Sequence, residues 1–152
     1  MRPNAVPSLM IAVAALGGVA VATSAAATAD PGTVTVIEHA TTDTVTDLGA
    51  KGDSVGDLLT FSNEVFDAAD GQPVGKSTGV CTRTVVGVEW DCGWTLSLAD
   101  GQITVQGPFF DAADSVLSIT GGTGRYFAAR GEMALAHITP DGSKYQFTYR
   151  LG

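Results

Sequence analysis

The chain lacks most of the residue patterns that mark the commoner enzyme classes. It holds only two histidines, His39 and His137, and two cysteines, Cys81 and Cys92. Neither histidine has a His or Cys partner at metal-ligand spacing, so no metal is expected. There is no Gly-x-Ser-x-Gly nucleophile elbow. The glycine-rich run Gly121–Gly124 opens no helix, which removes a phosphate loop as well. Eight basic residues stand against 16 acidic ones, a formal net charge of −8, with no Lys/Arg run. Phosphate backbones need a basic face, so no nucleic-acid partner is expected. A charged fraction of 16% beside 45% hydrophobic residues excludes a disordered chain. No segment carries an amphipathic helical period of useful length.

The one long apolar run is Leu9–Ala22, preceded by Arg2 and followed by Ala27-Thr28-Ala29. That is the order of a secretory signal peptide: positive start, apolar centre, small-x-small cleavage site. The run is too short for a transmembrane anchor and has no charged stop. The expected organisation is a signal peptide over residues 1–29, cleaved near Ala29, and one secreted domain over 30–152. Stable membrane insertion is not expected.

In the mature part, β-branched and alternating runs recur between turn signals. Thr33–His39 reads as a first strand, followed by a polar loop over Thr41–Gly56. Asp57–Phe66, Val74–Val86 and Val88–Leu98 follow as strands, the last two joined tightly at Val86-Gly87. Ile103–Gln106 is the fifth, ending at a Pro-aromatic corner, Gly107-Pro108-Phe109-Phe110. Ser115–Thr120 is the sixth and breaks at Gly121–Gly124, where three glycines in four residues suit a turn. Gly131–Ile138 and Lys144–Leu151 complete the set. Short strands with tight turns fit a sandwich or a closed barrel, and closure removes exposed edges.

Order and spacing of several motifs add to this. Gly56-Asp57-Leu58-Leu59-Thr60-Phe61-Ser62-Asn63, then Val74–Cys81, then Ile103-Thr104-Val105-Gln106-Gly107-Pro108-Phe109 resemble plant allene oxide cyclases. Gly121–Gly131 (GGTGRYFAARG) is closer to dirigent proteins. The resemblance covers nearly all of the mature chain. It implies an all-β fold, an eight-stranded antiparallel β-barrel with a central hydrophobic cavity, usually assembled as a homotrimer. It also implies chemistry by positioning and electrostatics in a dry site, with no cofactor.

The same resemblance places roles. Glu38 stands where the family has its pocket glutamate, which stabilises developing positive charge. Residue type alone leaves it open between a solvated strand-end carboxylate and a buried one with a raised pKa. Asn63 is the second catalytic candidate; it and Phe61 match the family's Phe-Ser-Asn on one strand face. Phe109 replaces a pocket tyrosine and so deletes a hydroxyl. Cys81 matches a pocket cysteine. With a two-residue connection at Val86-Gly87, Cys81 and Cys92 fall opposite each other as a hydrogen-bonded pair. A disulfide is the expected state in an exported chain, with a free pocket thiol at Cys81 as the alternative. Arg130 matches the dirigent motif arginine, open between a ligand-binding role and a surface ion pair. Arg125 stands where dirigent proteins have an aspartate.

Ala40 replaces an asparagine that helps hold the catalytic water in the plant enzymes, and Thr46-Asp47 stands in place of their Ser-Pro. The oxygen-holding part of the site is altered, so a different ligand is expected. The leading expectation is a cofactor-free cyclase or isomerase that controls the cyclisation of a small hydrophobic, lipid- or polyketide-like substrate. The alternatives are a dirigent-like protein orienting another enzyme's intermediates and a non-catalytic secreted ligand-binding barrel.

Overall fold

A computed structural model describes residues 32–152; the expected signal peptide lies outside the described residues. Nine strands follow in chain order: β1 Thr33–His39, β2 Thr44–Thr46, β3 Leu58–Phe66, β4 Pro73–Val85, β5 Glu89–Leu98, β6 Gly101–Phe110, β7 Ser115–Gly124, β8 Gly131–His137 and β9 Lys144–Leu151. From β3 to β9 each strand pairs antiparallel with the next. β1 pairs with β9 on one side and β3 on the other, which closes an eight-stranded barrel. Closure leaves each long strand with two neighbours and one inward face.

β2 is the ninth strand and lies within the stretch expected to be a loop. β1 covers only Glu64–Phe66 of β3, leaving that edge free lower down. The β-branched triplet Thr44-Val45-Thr46 takes the vacancy opposite Leu58–Thr60. β1 and β2 are thus one edge partner interrupted at residues 40–43.

Two other expectations are corrected. Gly107–Phe110 is no corner: it continues β6, with Pro108 opposite Asp91. Pairing of β6 with β7 stops at Gln106, so beyond that point a residue without an N–H need not break that ladder. Gly121–Gly124 is likewise strand, paired with Gly101–Thr104, and Thr120 is an extra bulged residue. The glycines here permit close approach. A side chain at Gly122 would run into the carbonyl oxygens of Tyr126 and Gln102. The chain turns one step later, with Tyr126 N–H bonded to Thr123 O at 3.0 Å and Ala128 at φ 63°.

The inward faces divide the interior in two. Towards one end Val36, Leu96, Ile103, Met133 and Tyr149 are buried in one apolar cluster. The other end carries polar groups. There Arg83, 7% exposed, donates to Asp53 at 2.7 Å and to both oxygens of Asp111 at 2.9 and 2.8 Å. Its guanidinium stacks 3.9 Å from the centroid of Trp90, whose Nε1–H also reaches Asp111. Asp53 further accepts from the Gly87 N–H at 2.7 Å. Asp57 accepts from the N–H groups of Leu48 and Ser54, at 2.8 and 2.7 Å, which folds the long segment before β3 onto this end.

Cys81 and Cys92 form a disulfide across β4 and β5, with Cα atoms 4.0 Å apart. The opposition expected from the hairpin holds, although the connection contains Val86–Val88 and the extra residue Thr84 restores the register. That change inverts the hydrogen-bond parity. Arg83 turns its N–H and C=O towards Asp57 and Gly56, away from β5. Two residues along, Cys81 does the same, so the cysteines form a non-hydrogen-bonded pair, the closer of the two kinds.

Candidate active site

Alternation along the strands builds the site. On β1, Glu38 follows Val34 and Val36 on the inward face, and it is only 4% exposed. It lies opposite Tyr145 of β9, and Tyr145 lies opposite His137 of β8. Carboxyl, phenol and imidazole therefore sit side by side on three neighbouring strands. Beside them is a cavity of about 30 Å³. Two acids, Glu38 and Asp43, and five aromatic side chains, Phe61, Trp94, Phe109, Tyr145 and Phe147, line it with Leu59, Leu135 and the disulfide. No lysine or arginine is among them. Asp43 is exposed and marks the mouth.

Burial dominates the state of Glu38. It raises the carboxyl pKa from 4.5 to about 8. Ser77 and Asn63 pull it back, and the charge of Asp43 adds to the rise. Neither Oε1 of Glu38 nor Oγ of Ser77 has a hydrogen-bond partner of proper geometry. At neutral pH Glu38 is mostly the uncharged acid, with a proton to give. Tyr145 is pushed up to about 12, first by burial and then by the charges of Asp43 and Glu38.

Asn63 is buried but is not among the side chains that line the cavity, and its amide is committed. Its Oδ1 accepts from Thr41 N–H, Thr42 N–H and Thr42 Oγ1–H at 3.1, 2.9 and 2.8 Å. Its Nδ2 donates to Asp43 at 2.7 Å. Asn63 thereby fixes the interruption between β1 and β2 and holds Asp43 at the mouth. Phe61 meets Trp94 edge-on, centroids 5.9 Å apart. Phe109 stacks on His137 at 5.9 Å and meets Tyr145 edge-on at 5.7 Å.

Of the remaining expected site residues, one stands in the cavity wall and one does not. Cys81 lines the cavity as half of a disulfide, so a pocket thiol is replaced by a sulfur wall. Arg130 is exposed on the outside, its guanidinium donating to the carbonyls of Ala129 and Thr120 at 2.6 and 3.3 Å. That bonding holds the β7–β8 turn and removes Arg130 from the cavity. His39 faces outward, stacked on Phe66 and 2.6 Å from Asp70, as its place beside Glu38 on a strand requires.

Three residues of the site escape a reading of the chain alone: Asp43, His137 and Tyr145. The last two carry a signal, since Leu135-Ala136-His137 and Tyr145-Gln146-Phe147 alternate into the interior. Asp43 carries none, being one acid in a polar stretch.

The chain that forms this barrel matches a known family. The family model of the allene oxide cyclase barrel-like domain matches residues 33–147. This chain belongs to that family. Among solved structures, the allene oxide cyclase-like barrel is similar to a pyocyanin demethylase, 29% identical, with 76% of this chain and 98% of that one covered and a TM-score of 0.67. A pterocarpan synthase dirigent protein, PsPTS1, is 15% identical over 77% of this chain and 92% of its own, TM-score 0.65. The exo-specific intermolecular Diels-Alderase AbnU is 17% identical over 78% and 95%, TM-score 0.61. At those identities the last two share the fold alone. The allene oxide cyclase-like barrel thus occurs in a demethylase, a dirigent protein and a Diels-Alderase, and the site rather than the fold must decide among chemistries.

Proposed function

We propose that this barrel is a cofactor-free cyclase or isomerase that takes a small hydrophobic substrate into the cavity and controls how it closes. The observation that carries the reading is Glu38, an acid without a partner at Oε1, lining an aromatic cavity. Such a group donates a proton to an epoxide or carbonyl oxygen, or ionises as positive charge develops beside it. The aromatic faces favour that charge and set the orientation in which the ring closes. Asp43 is the acid at the mouth, positioned by Asn63. A cavity of about 30 Å³ holds a water or two, so substrate entry requires lining side chains to swing outward. Phe61, half-buried in the lining, is one side chain that could do so. Export, with cleavage near Ala29, and assembly as a homotrimer belong to the same proposal; the disulfide is in keeping with export.

A second reading is favoured by the 29% identity to the pyocyanin demethylase and by a lining of acids and aromatic rings without lysine or arginine. It is oxidative removal of an N-methyl group from a flat, redox-active heteroaromatic ligand, in which water supplies the oxygen with which the methyl leaves as formaldehyde and the ligand's own ring takes up the two electrons. One experiment separates the two. A fatty-acid allene oxide is generated in situ and its product analysed on a chiral column with no protein, wild type and Glu38→Gln, while pyocyanin is followed by absorbance in parallel. The cyclase reading predicts an enantiomeric excess that disappears in Glu38→Gln, and unchanged pyocyanin. Racemic product in every tube with loss of pyocyanin supports demethylation. Racemic product and intact pyocyanin throughout would contradict action on an allene oxide and on pyocyanin alike.

A further inference from the structure

His137 is not used by either reading above, and its surroundings are unusual. Its side chain is 21% exposed, yet both ring nitrogens are shielded from solvent and neither has a hydrogen-bond partner. Nδ1 lies 3.6 Å from Asp114 Oδ1, beyond hydrogen-bond length. The bond Asp114 does make is to the His137 backbone N–H, at 3.1 Å. The ring itself is fixed by stacking, on Phe109 with an interplanar angle of 24° and edge-on against Tyr145 with centroids 5.0 Å apart. Both of those residues line the cavity, as does Leu135, two residues before His137 on the same inward face. A buried polar group left unpaired is costly, and an apolar ring would fill the same stack without that cost. The unmet hydrogen-bonding capacity is explained by a partner that arrives with the ligand.

We propose that His137 is a ligand-contacting residue, whose imidazole hydrogen-bonds a hydroxyl or carbonyl of a flat hydrophobic ligand lodged between it and Glu38. This rests on the proposal that the cavity is the binding site, and adds the chemical class of its ligand: an apolar ring system with a polar atom at the edge that meets β8. Neutral imidazole both donates and accepts, so alcohol and ketone are both served. Glu38 and His137, two strands apart across Tyr145, would then grip two polar atoms of one substrate.

The test compares 1-naphthol with naphthalene, a pair that differs only in the hydroxyl, by titration against wild type, His137→Phe, His137→Gln and Glu38→Gln. One well-placed hydrogen bond gives a preference for 1-naphthol of about three- to tenfold beyond its partition difference. His137→Phe keeps the stack and loses that preference; His137→Gln, which keeps a donor and an acceptor, retains part of it. In wild type with 15N-labelled histidine, an imidazole nitrogen of His137 shifts with 1-naphthol and not with naphthalene, a signature that a merely structural ring would not give. An undiminished preference in His137→Phe, or no binding of either probe by a folded protein, overturns the proposal. The cyclase reading stands or falls separately, on the chiral product and its loss in Glu38→Gln.

Discussion

Glu38→Gln is expected to make the barrel more stable above pH 8, by about 3–5 kcal/mol, and to abolish most of its decline in stability between pH 5 and 8. The carboxyl ionises near 4.5 in the unfolded chain and near 8 in the folded one. Between those values the folded protein holds one proton more than the unfolded protein. Raising the pH therefore favours unfolding through that window, and the loss is complete once the folded carboxyl has ionised. Below about 4.5 both states are protonated and the variant has nothing to gain. Asp57, Asp70 and Asp141, whose pKa values are lowered by hydrogen bonds, act in the opposite direction. Their stabilisation is lost as the pH falls through the acid range, so the two effects separate on the pH axis. Urea unfolding of both proteins at pH 5, 6.5 and 8.5 reads the difference. Parallel stability profiles would contradict a neutral buried Glu38.

Reducing the Cys81–Cys92 bridge, or replacing both cysteines with alanine, is expected to cost about 3 kcal/mol. The bond spans 11 residues of chain, and releasing it returns that loop's freedom to the unfolded state. Both cysteines stand in paired strands, and their sulfurs can part by side-chain rotation, so the native hairpin survives reduction. The loss should be independent of pH between 5 and 8, unlike that of Glu38. Unfolding in urea with and without a phosphine reductant measures it. An unchanged midpoint in a protein shown by mass to be reduced would mean that the hairpin is already ordered in the unfolded ensemble.

Much of the barrel is legible in the chain because side-chain alternation has period two and only the inward face is apolar. Trp90, Cys92, Trp94 and Leu96 announce β5 in this way. β2 is not legible, since three polar-flanked residues carry no period and its existence depends on an edge that β1 leaves free. Glycine misled at Gly121–Gly124 for a physical reason: turns and close backbone contacts both require a missing side chain, and only the partner strand tells them apart. The site was partly legible. Resemblance marks Glu38 and the alternation of β1 turns it inward, but its burial depends on the closure of β1 against β3. Resemblance also marks Asn63 as a catalytic candidate, and its amide is spent on Thr41, Thr42 and Asp43. Those contacts join residues about 20 positions apart at an interruption between strands, which no local pattern encodes.

The claim on which the rest turns is that a neutral carboxylic acid stands in the cavity at physiological pH. The direct measurement is the titration of the Glu38 side-chain carbonyl by 13C NMR in protein labelled at glutamate, with Glu38→Gln identifying the resonance. The structure predicts a midpoint near 8. A midpoint near 4.5 would place an ordinary, ionised carboxylate there and contradict the account.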